Sequence, residues 1–311
     1  MIRFREVATG LQFPEGPVAL ADGSVLLVEV ARGTLSRVTP AGLVEVVAET
    51  GGGPNGAAIG PDGSVYLCNN GGFRWTRDAI HGLRPVGQAE NYSGGRIERV
   101  DLNTGRVERV YDQADGLALR GPNDLVFDAH GGFYFTDFGK TRDHEMDRGG
   151  LFYALPDGSS INVIARPAFS ANGTAMSPDG SSLYYAETSG ARLWAFDVEA
   201  PGRVRKAPWP PSPQGARCVV ASPGGHYQLF DSMAVDSLGN VLVATIVHSG
   251  ITVVSPDGRL ISHVPLPDLF VTNLCFGGRD MRTLFVTLSG SGRLIAIDDW
   301  PLPGLPLHWG Q

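Results

Sequence analysis

The stretch Asn55-Gly-Ala-Ala-Ile-Gly-Pro-Asp-Gly-Ser-Val-Tyr-Leu-Cys-Asn69 decides the fold. A polar residue leads a short apolar run, a Pro-Asp-Gly turn follows, and a second apolar run completes the unit. Apolar runs of strand length on either side of a turn signal read as a β-hairpin. The unit recurs as EGPVALADGSVLLVE from Glu15, NDLVFDAHGGFYFTD from Asn123, NGTAMSPDGSSLYYAE from Asn172, DSMAVDSLGNVLVAT from Asp231 and NLCFGGRDMRTLFVT from Asn273. Glycine stands eight residues after the leading polar residue in five of the six copies (Gly23, Gly63, Gly131, Gly180, Gly239), and Met281 takes that place in the sixth.

The copies lie about fifty residues apart, the spacing of propeller blades. Between them run further alternating hairpins, among them GTLSRVTPAGLVEVV, GGLFYALPDGSSINVIA and GGITVVSPDGRLISHVPL. Two hairpins per repeat, six times over, predict an all-β, six-bladed β-propeller with four antiparallel strands per blade. The sixth copy stops near Asp298 one strand short. Residues 1–7 are expected to supply that strand and close the ring, which removes the exposed sheet edges. The expectation is a single propeller domain over residues 1–311.

Composition agrees. Gly 42 and Pro 22 in 311 residues are too many for a helical protein, and they punctuate apolar runs without a Gly-X-Y period. A hydrophobic fraction of 42% rules out disorder. The net charge of -7 and the lack of a Lys/Arg run argue against a nucleic-acid partner. No apolar run of about 18 residues is present, which argues against a membrane span. The start MIRFRE lacks a signal-peptide core, and the three cysteines (Cys68, Cys218, Cys275) have no CxxC spacing. These features lead to the expectation of a cytoplasmic monomer or small homo-oligomer with free thiols.

Topology converts the repeat into chemistry. Strands alternate in direction within a blade, so the six leading residues Glu15, Asn55, Asn123, Asn172, Asp231 and Asn273 gather at one mouth of the central channel. The Pro-Asp-Gly turns gather at the other. Two carboxylates and four carboxamides make a hard-oxygen set suited to Ca²⁺, Mg²⁺ or Mn²⁺. Two buried carboxylates side by side would otherwise force one to protonate. The long segments 69–94 and 137–149 return to the same mouth and are expected to wall it. Asn69, Phe73, Trp75 and His248 fall there too.

The segments PEGP (14–17), GPND (121–124), ANG (171–173) and FDSMAVD (230–236) resemble the metal-site signatures of the gluconolactonase/regucalcin (senescence marker protein) family, which includes the LRE-like region. The resemblance spans essentially the whole chain. It implies one divalent cation in the channel (Ca most of all, with Zn, Mn, Mg or Fe as alternatives) and hydrolysis of a small lactone or ester. By motif, Glu15, Asn172 and Asp231 would be metal ligands. Asn123 would be a fourth ligand or a substrate contact, and Asp231 would be the catalytic base or nucleophile. Arg120, Asn55, Asn69 and Asn273 are further candidates for substrate contact. Two departures bear on the substrate: Ser232 follows Asp231 where glycine is common, and FTDFGK (135–140) stands where some sugar-lactone hydrolases carry a substrate-binding glutamate. Other readings kept open are the same site acting on aryl lactones or organophosphate triesters, and a non-enzymatic calcium-binding or protein-binding propeller.

Overall fold

Apolar runs this short, broken every few residues by glycine or aspartate, build strands and little else. The computed structural model describes residues 2–208, 212 and 214–310. Within them the one helical element is a 3-10 turn, Pro223–Gly225.

Among the described residues six antiparallel sheets form the blades, and two two-stranded hairpins lie outside them. Blade 1 comprises Pro14–Ala19, Val25–Glu29, Thr34–Val38 and Val44–Glu49. Blade 2 comprises Pro54–Ile59, Val65–Asn69, Arg96–Val100 and Val107–Tyr111. Blade 3 comprises Pro122–Phe127, Phe133–Asp137, Gly149–Ala154 and Ile161–Ala168. In blade 4, Ala171–Met176, Ser182–Glu187 and Arg192–Ala200 are followed by two short strands, Arg203–Arg205 and Arg217–Ala221, that share the outer edge. Blade 5 comprises Leu229–Val235, Val241–Ile246, Gly250–Val254 and Ile261–Pro265. Blade 6 comprises Val271–Gly277, Thr283–Leu288 and Arg293–Ile297. Its fourth strand is Arg5–Ala8, which pairs Arg5 with Ala296 and Glu6 with Ile295. The expected closure is therefore present, with Met1 outside the described residues.

The first strand of each blade packs on the first strand of the next, from blade 1 round to blade 6 and back. The apolar core is divided accordingly into six clusters, one at each junction between neighbouring blades. At the junction of blades 2 and 3, for example, Tyr66, Phe127 and Phe133 meet with ring centroids 5.2–5.8 Å apart. Burial of each such ring stabilises by about 1.5–3 kcal/mol.

Residues 299–310 depart from the simple repeat. The strands of blade 6 end at Ile297, and residues 299–310 add no further strand to it. This C-terminal segment crosses the lower mouth as a strap. Trp300 N donates to Arg282 O, Gly304 N to Met281 O, Leu305 N to Val235 O, and Trp309 Nε1 to Asp128 O, so blades 6, 5 and 3 are joined from below. The physical reason is proline: WPLPGLPL (300–307) cannot supply the regular N–H row a sheet strand needs. Above the strap the channel narrows to a cavity of about 120 Å³, lined by Val18, Leu125, Met176, Met233 and Phe276 and floored by Leu305 and Trp309.

Candidate metal centre and active mouth

Each inner strand carries a β-bulge at its leading polar residue. In blade 2, Pro54 pairs with Asn69 but Ala57 pairs with Leu67, so one extra residue is inserted between them. The same one-residue shift follows Glu15 in blade 1, Pro122 in blade 3, Ala171 in blade 4, Phe230 in blade 5 and Val271 in blade 6. A bulge breaks strict in-out alternation and re-aims side chains. The residues after the leading ones, Gly16, Gly56, Asp124, Gly173 and Ser232, therefore also lie at the contact between inner strands. A Cβ on Gly16 would lie 2.7 Å from Asn55 O, and one on Gly173 would lie 2.5 Å from Ser232 Cα. Glycine there lets the inner strands close to this spacing.

The leading residues meet as expected at the upper end of the channel. Glu15, Asn55, Asn172, Asp231 and Asn273 are buried and Asn123 is half-buried. Asn273 Nδ2 donates to Glu15 Oε2 (3.0 Å), and Asn55 Nδ2 donates to Asn123 O (3.3 Å). Asn172 Nδ2 donates to Thr188 Oγ1 (2.9 Å), which fixes the sense of its amide. Burial, above all, raises Glu15 to about 8, with the carboxylate of Asp124 adding to it against hydrogen bonds from Asn273 and Thr272. Burial likewise pushes Asp231 well above the carboxylate range, with Glu15 the second cause. Asp124 is raised to about 6, again chiefly by burial.

Several buried oxygens in this ring have no protein partner: Asn123 Oδ1, Asn172 Oδ1 and Ser232 Oγ. Buried polar atoms are almost always satisfied. Two orphaned carboxamide oxygens beside carboxyls that burial drives toward the neutral form are the donor set a hard divalent cation needs. The residues present fit such an ion.

Two features at this mouth were missed by the repeat reading. Asp124 is one, a third acid on the channel that follows Asn123. The other is a column of acids closing the second strands, Glu29, Asp137 and Glu187, in phase with the candidate Asn69. Glu29, Asn69 and Asp137 receive the backbone of the loops that enter the inner strands, whereas Glu187 accepts from Arg192 and from Trp194 Nε1 (2.9 Å) in its own blade. Glu29 Oε2 accepts from Gln12 N (2.8 Å), Asn69 Oδ1 from Gly53 N (2.9 Å), and Asp137 from Arg120 N (2.7 Å) and Gly121 N (2.8 Å). The signal was legible, because these residues are the last letters of VLLVE, VYLCN, FYFTD and LYYAE. Asn69 also accepts from Gly71 N and donates to Gly51 O and Glu98 Oε2, so its amide is spent inside blade 2.

The two long segments wall one side of the mouth. Segment 69–94 holds a hairpin of Phe73–Asp78 and Gly82–Gln88. It docks on segment 137–149 through Gln88 N to Thr141 O (3.0 Å) and Arg142 Nη1 to Gln88 Oε1 (3.2 Å). Trp75 packs on Phe13 and Phe73. Arg120 stands at the mouth half-exposed, with Asp147 3.9 Å away. Across from this wall His248 stacks between His226 and His263, with ring centroids 4.6 and 4.0 Å apart.

The class of protein that these observations define is a bulged, six-bladed β-propeller with acids and carboxamides converging on its axis. The chain belongs to the SMP-30/Gluconolactonase/LRE-like family, whose pattern matches residues 13–290. It is 28% identical to a gluconolactonase of Zymomonas mobilis over 91% of this chain and 78% of that one. It is 30% identical to lactonase drp35 of Staphylococcus epidermidis over 83% of this chain and 70% of that one. A calcium-binding protein, regucalcin, from Agrobacterium tumefaciens shares the fold with a TM-score of 0.72 at 18% identity, over 98% of each chain.

Proposed function

We propose that the protein is a divalent-metal-dependent lactonase acting on sugar lactones or related small lactones. The observation that carries this reading is the buried pair Glu15 and Asp231 beside the orphaned Asn123 Oδ1 and Asn172 Oδ1. Membership of a family with lactonase relatives supplies the reaction class. Glu15, Asn172 and Asp231 would hold the cation, with Asn123 as fourth ligand or substrate contact. When bound, a divalent ion supplies a positive charge that polarises a carbonyl oxygen.

The chain's own residues do the rest. Asn273 holds the Glu15 carboxyl and Thr188 holds the Asn172 amide, so neither reorganises during reaction. Asp231, as a carboxylate, accepts the proton of the attacking water at its carboxyl oxygen. Direct attack by the same carboxylate on the carbonyl carbon is the competing route. Arg120 and Asn123 border the mouth, where they can bind substrate oxygens; Asn55 and Asn273 support the ring through Asn123 O and Glu15. The three free thiols, one of them exposed, suit a reducing cytoplasm.

The test is a pH-indicator assay over sugar lactones, dihydrocoumarin and a fluorophosphate, with chelated protein and with Ca²⁺, Mg²⁺, Mn²⁺ or Zn²⁺ returned. Hydrolysis of lactones that chelation abolishes and a cation restores is the expected result. Activity on the fluorophosphate alone would move the reading to phosphotriesters. No hydrolysis with any cation would leave a non-enzymatic propeller.

A further inference from the structure

Lys140 is an unusual buried cation. It is 1% exposed, and among the described residues no carboxylate forms an ion pair with it. Its Nζ donates to Asn70 Oδ1 (2.8 Å) and to Gly72 O (2.9 Å). The ammonium lies 3.8 Å from the centroid of the Phe73 ring and 5.5 Å from that of Tyr92. All of these partners belong to segment 69–94, whereas Lys140 itself belongs to segment 137–149. A buried ammonium without a counter-ion costs stability, which aromatic faces offset only in part. An apolar side chain would serve ordinary packing better.

The contacts continue from Lys140 toward the mouth. Asn70 Oδ1 also accepts from Gly72 N (2.9 Å), and Ser93 N donates to Gly71 O (3.0 Å), which holds the turn 70–72. A Cβ on Gly71 would lie 2.4 Å from the Tyr92 ring, so the turn and the ring are in close contact. Tyr92 OH donates to Arg120 O (2.6 Å) and accepts from Gly95 N (3.0 Å). From the other side Asp137 receives Arg120 N and Gly121 N. The backbone of Arg120, three residues before Asn123, is thus clamped by the two walls that Lys140 ties together.

We infer that Lys140 is a positioning residue: by joining the two long segments through Asn70, Gly72 and Phe73, it sets Tyr92 and hence Arg120 where substrate binds. Lys140 touches no reacting atom and acts through Arg120. The inference rests on the lactonase reading for its kinetic part only.

Lys140→Met keeps the length and the apolar stem but removes the ammonium. The expected result is a KM for the lactone raised about tenfold with kcat within about twofold, the loss of a charge-assisted hydrogen bond read as lost binding. The Tm is expected to hold or rise, because an unpaired buried charge has gone. Trypsin cleavage after Arg74 and Arg77, on the hairpin of the wall, is expected to quicken about tenfold as that segment opens more often. Should Lys140→Met not fold, Tyr92→Phe tests the same chain downstream, with KM expected to rise about threefold. An unchanged KM, or a Tm and kcat that fall together, would make Lys140 ordinary packing and overturn the proposal. If the wild-type protein hydrolyses no lactone, the lactonase reading fails by itself. The trypsin rates of wild type and variant then decide whether Lys140 joins the walls: faster cleavage upholds that, equal rates refute it.

Discussion

The two mouths of the channel use the same residue types to opposite ends. At the lower mouth an aspartate opens the turn of every blade: Asp22, Asp62, Asp128, Asp179, Asp236 and Asp280 each accept, at Oδ1, the backbone N–H two residues on, at 2.8–3.2 Å. These acids are satisfied by the turns they make. Ser24 holds the carboxyl of Asp22 low, and the Ser177 hydroxyl does the same for Asp179, at about 2. At the upper mouth Glu15, Asp124 and Asp231 lie together in a buried ring and are all raised. A carboxylate that its neighbours satisfy contributes to stability; one that its neighbours oppose is held for something else to satisfy.

The largest expected effect comes from neutralising the upper acids. Asp231→Asn and Glu15→Gln are each expected to lower lactone hydrolysis by about a thousandfold or more. In chelated protein the same substitutions leave Tm unchanged or raise it, since an amide spares the buried site a carboxyl that must take up a proton on folding. Hydrolysis within a factor of about two of wild type, at the accuracy of mutant kinetics, would break the assignment of Asp231. A clear fall in the chelated Tm would break the contrast between the two mouths.

A second effect separates them by pH. Glu15 keeps its proton in the folded chain up to about 8, whereas the unfolded chain releases it near 4.5. The folded state then binds more protons between these values, so stability of the metal-free protein falls as pH rises through that window. Lys140 runs the other way. Burial lowers it to about 7 from 10.5, the unfolded chain binds more protons between those values, and stability rises with pH there. Urea unfolding of chelated protein is therefore expected to show a stability minimum near neutral to mildly alkaline pH. Added cation lifts that minimum, and Lys140→Met flattens its alkaline limb. The lower acids act in a third window: the part contributed by Asp179 is present above 3.8 and lost as pH falls toward about 2.

The smallest effect is at a lower turn. Asp179→Ala removes the acceptor for Ser177, Ser181 and the turn amide, and is expected to cost about 1 kcal/mol in chemical unfolding with kcat and KM unchanged. An altered kcat would show that the lower turns reach the upper site after all.

How much was legible follows from what repeats. Glu15, Asn55, Asn123, Asn172, Asp231 and Asn273 stood out because a polar residue at one phase of six apolar units has no packing reason to be there. Arg5–Ala8 was legible from a missing strand. Asp124 was not: strict alternation turns the residue after Asn123 away from the axis, and only the bulge brings it to the channel. Lys140 and Asn70 occur once each, in segments the repeat does not cover, and their meeting is a matter of how two insertions dock. The strap was illegible for a similar reason. Its prolines excluded a strand, but nothing local said that it would run under the channel.

Sequence by itself determined the periodic part of this protein. Strand length, turn position and the phase of the polar column are local properties, set by alternation and by glycine and aspartate at the turns, and six equal units of that size have a ring as their closed packing. Tertiary structure alone decided the aperiodic part: which acids oppose one another, which carboxamide oxygens are left without a partner, and how a lysine came to be buried between two walls. Those outcomes depend on desolvation and on distances between residues far apart in the chain, and no local pattern carries either.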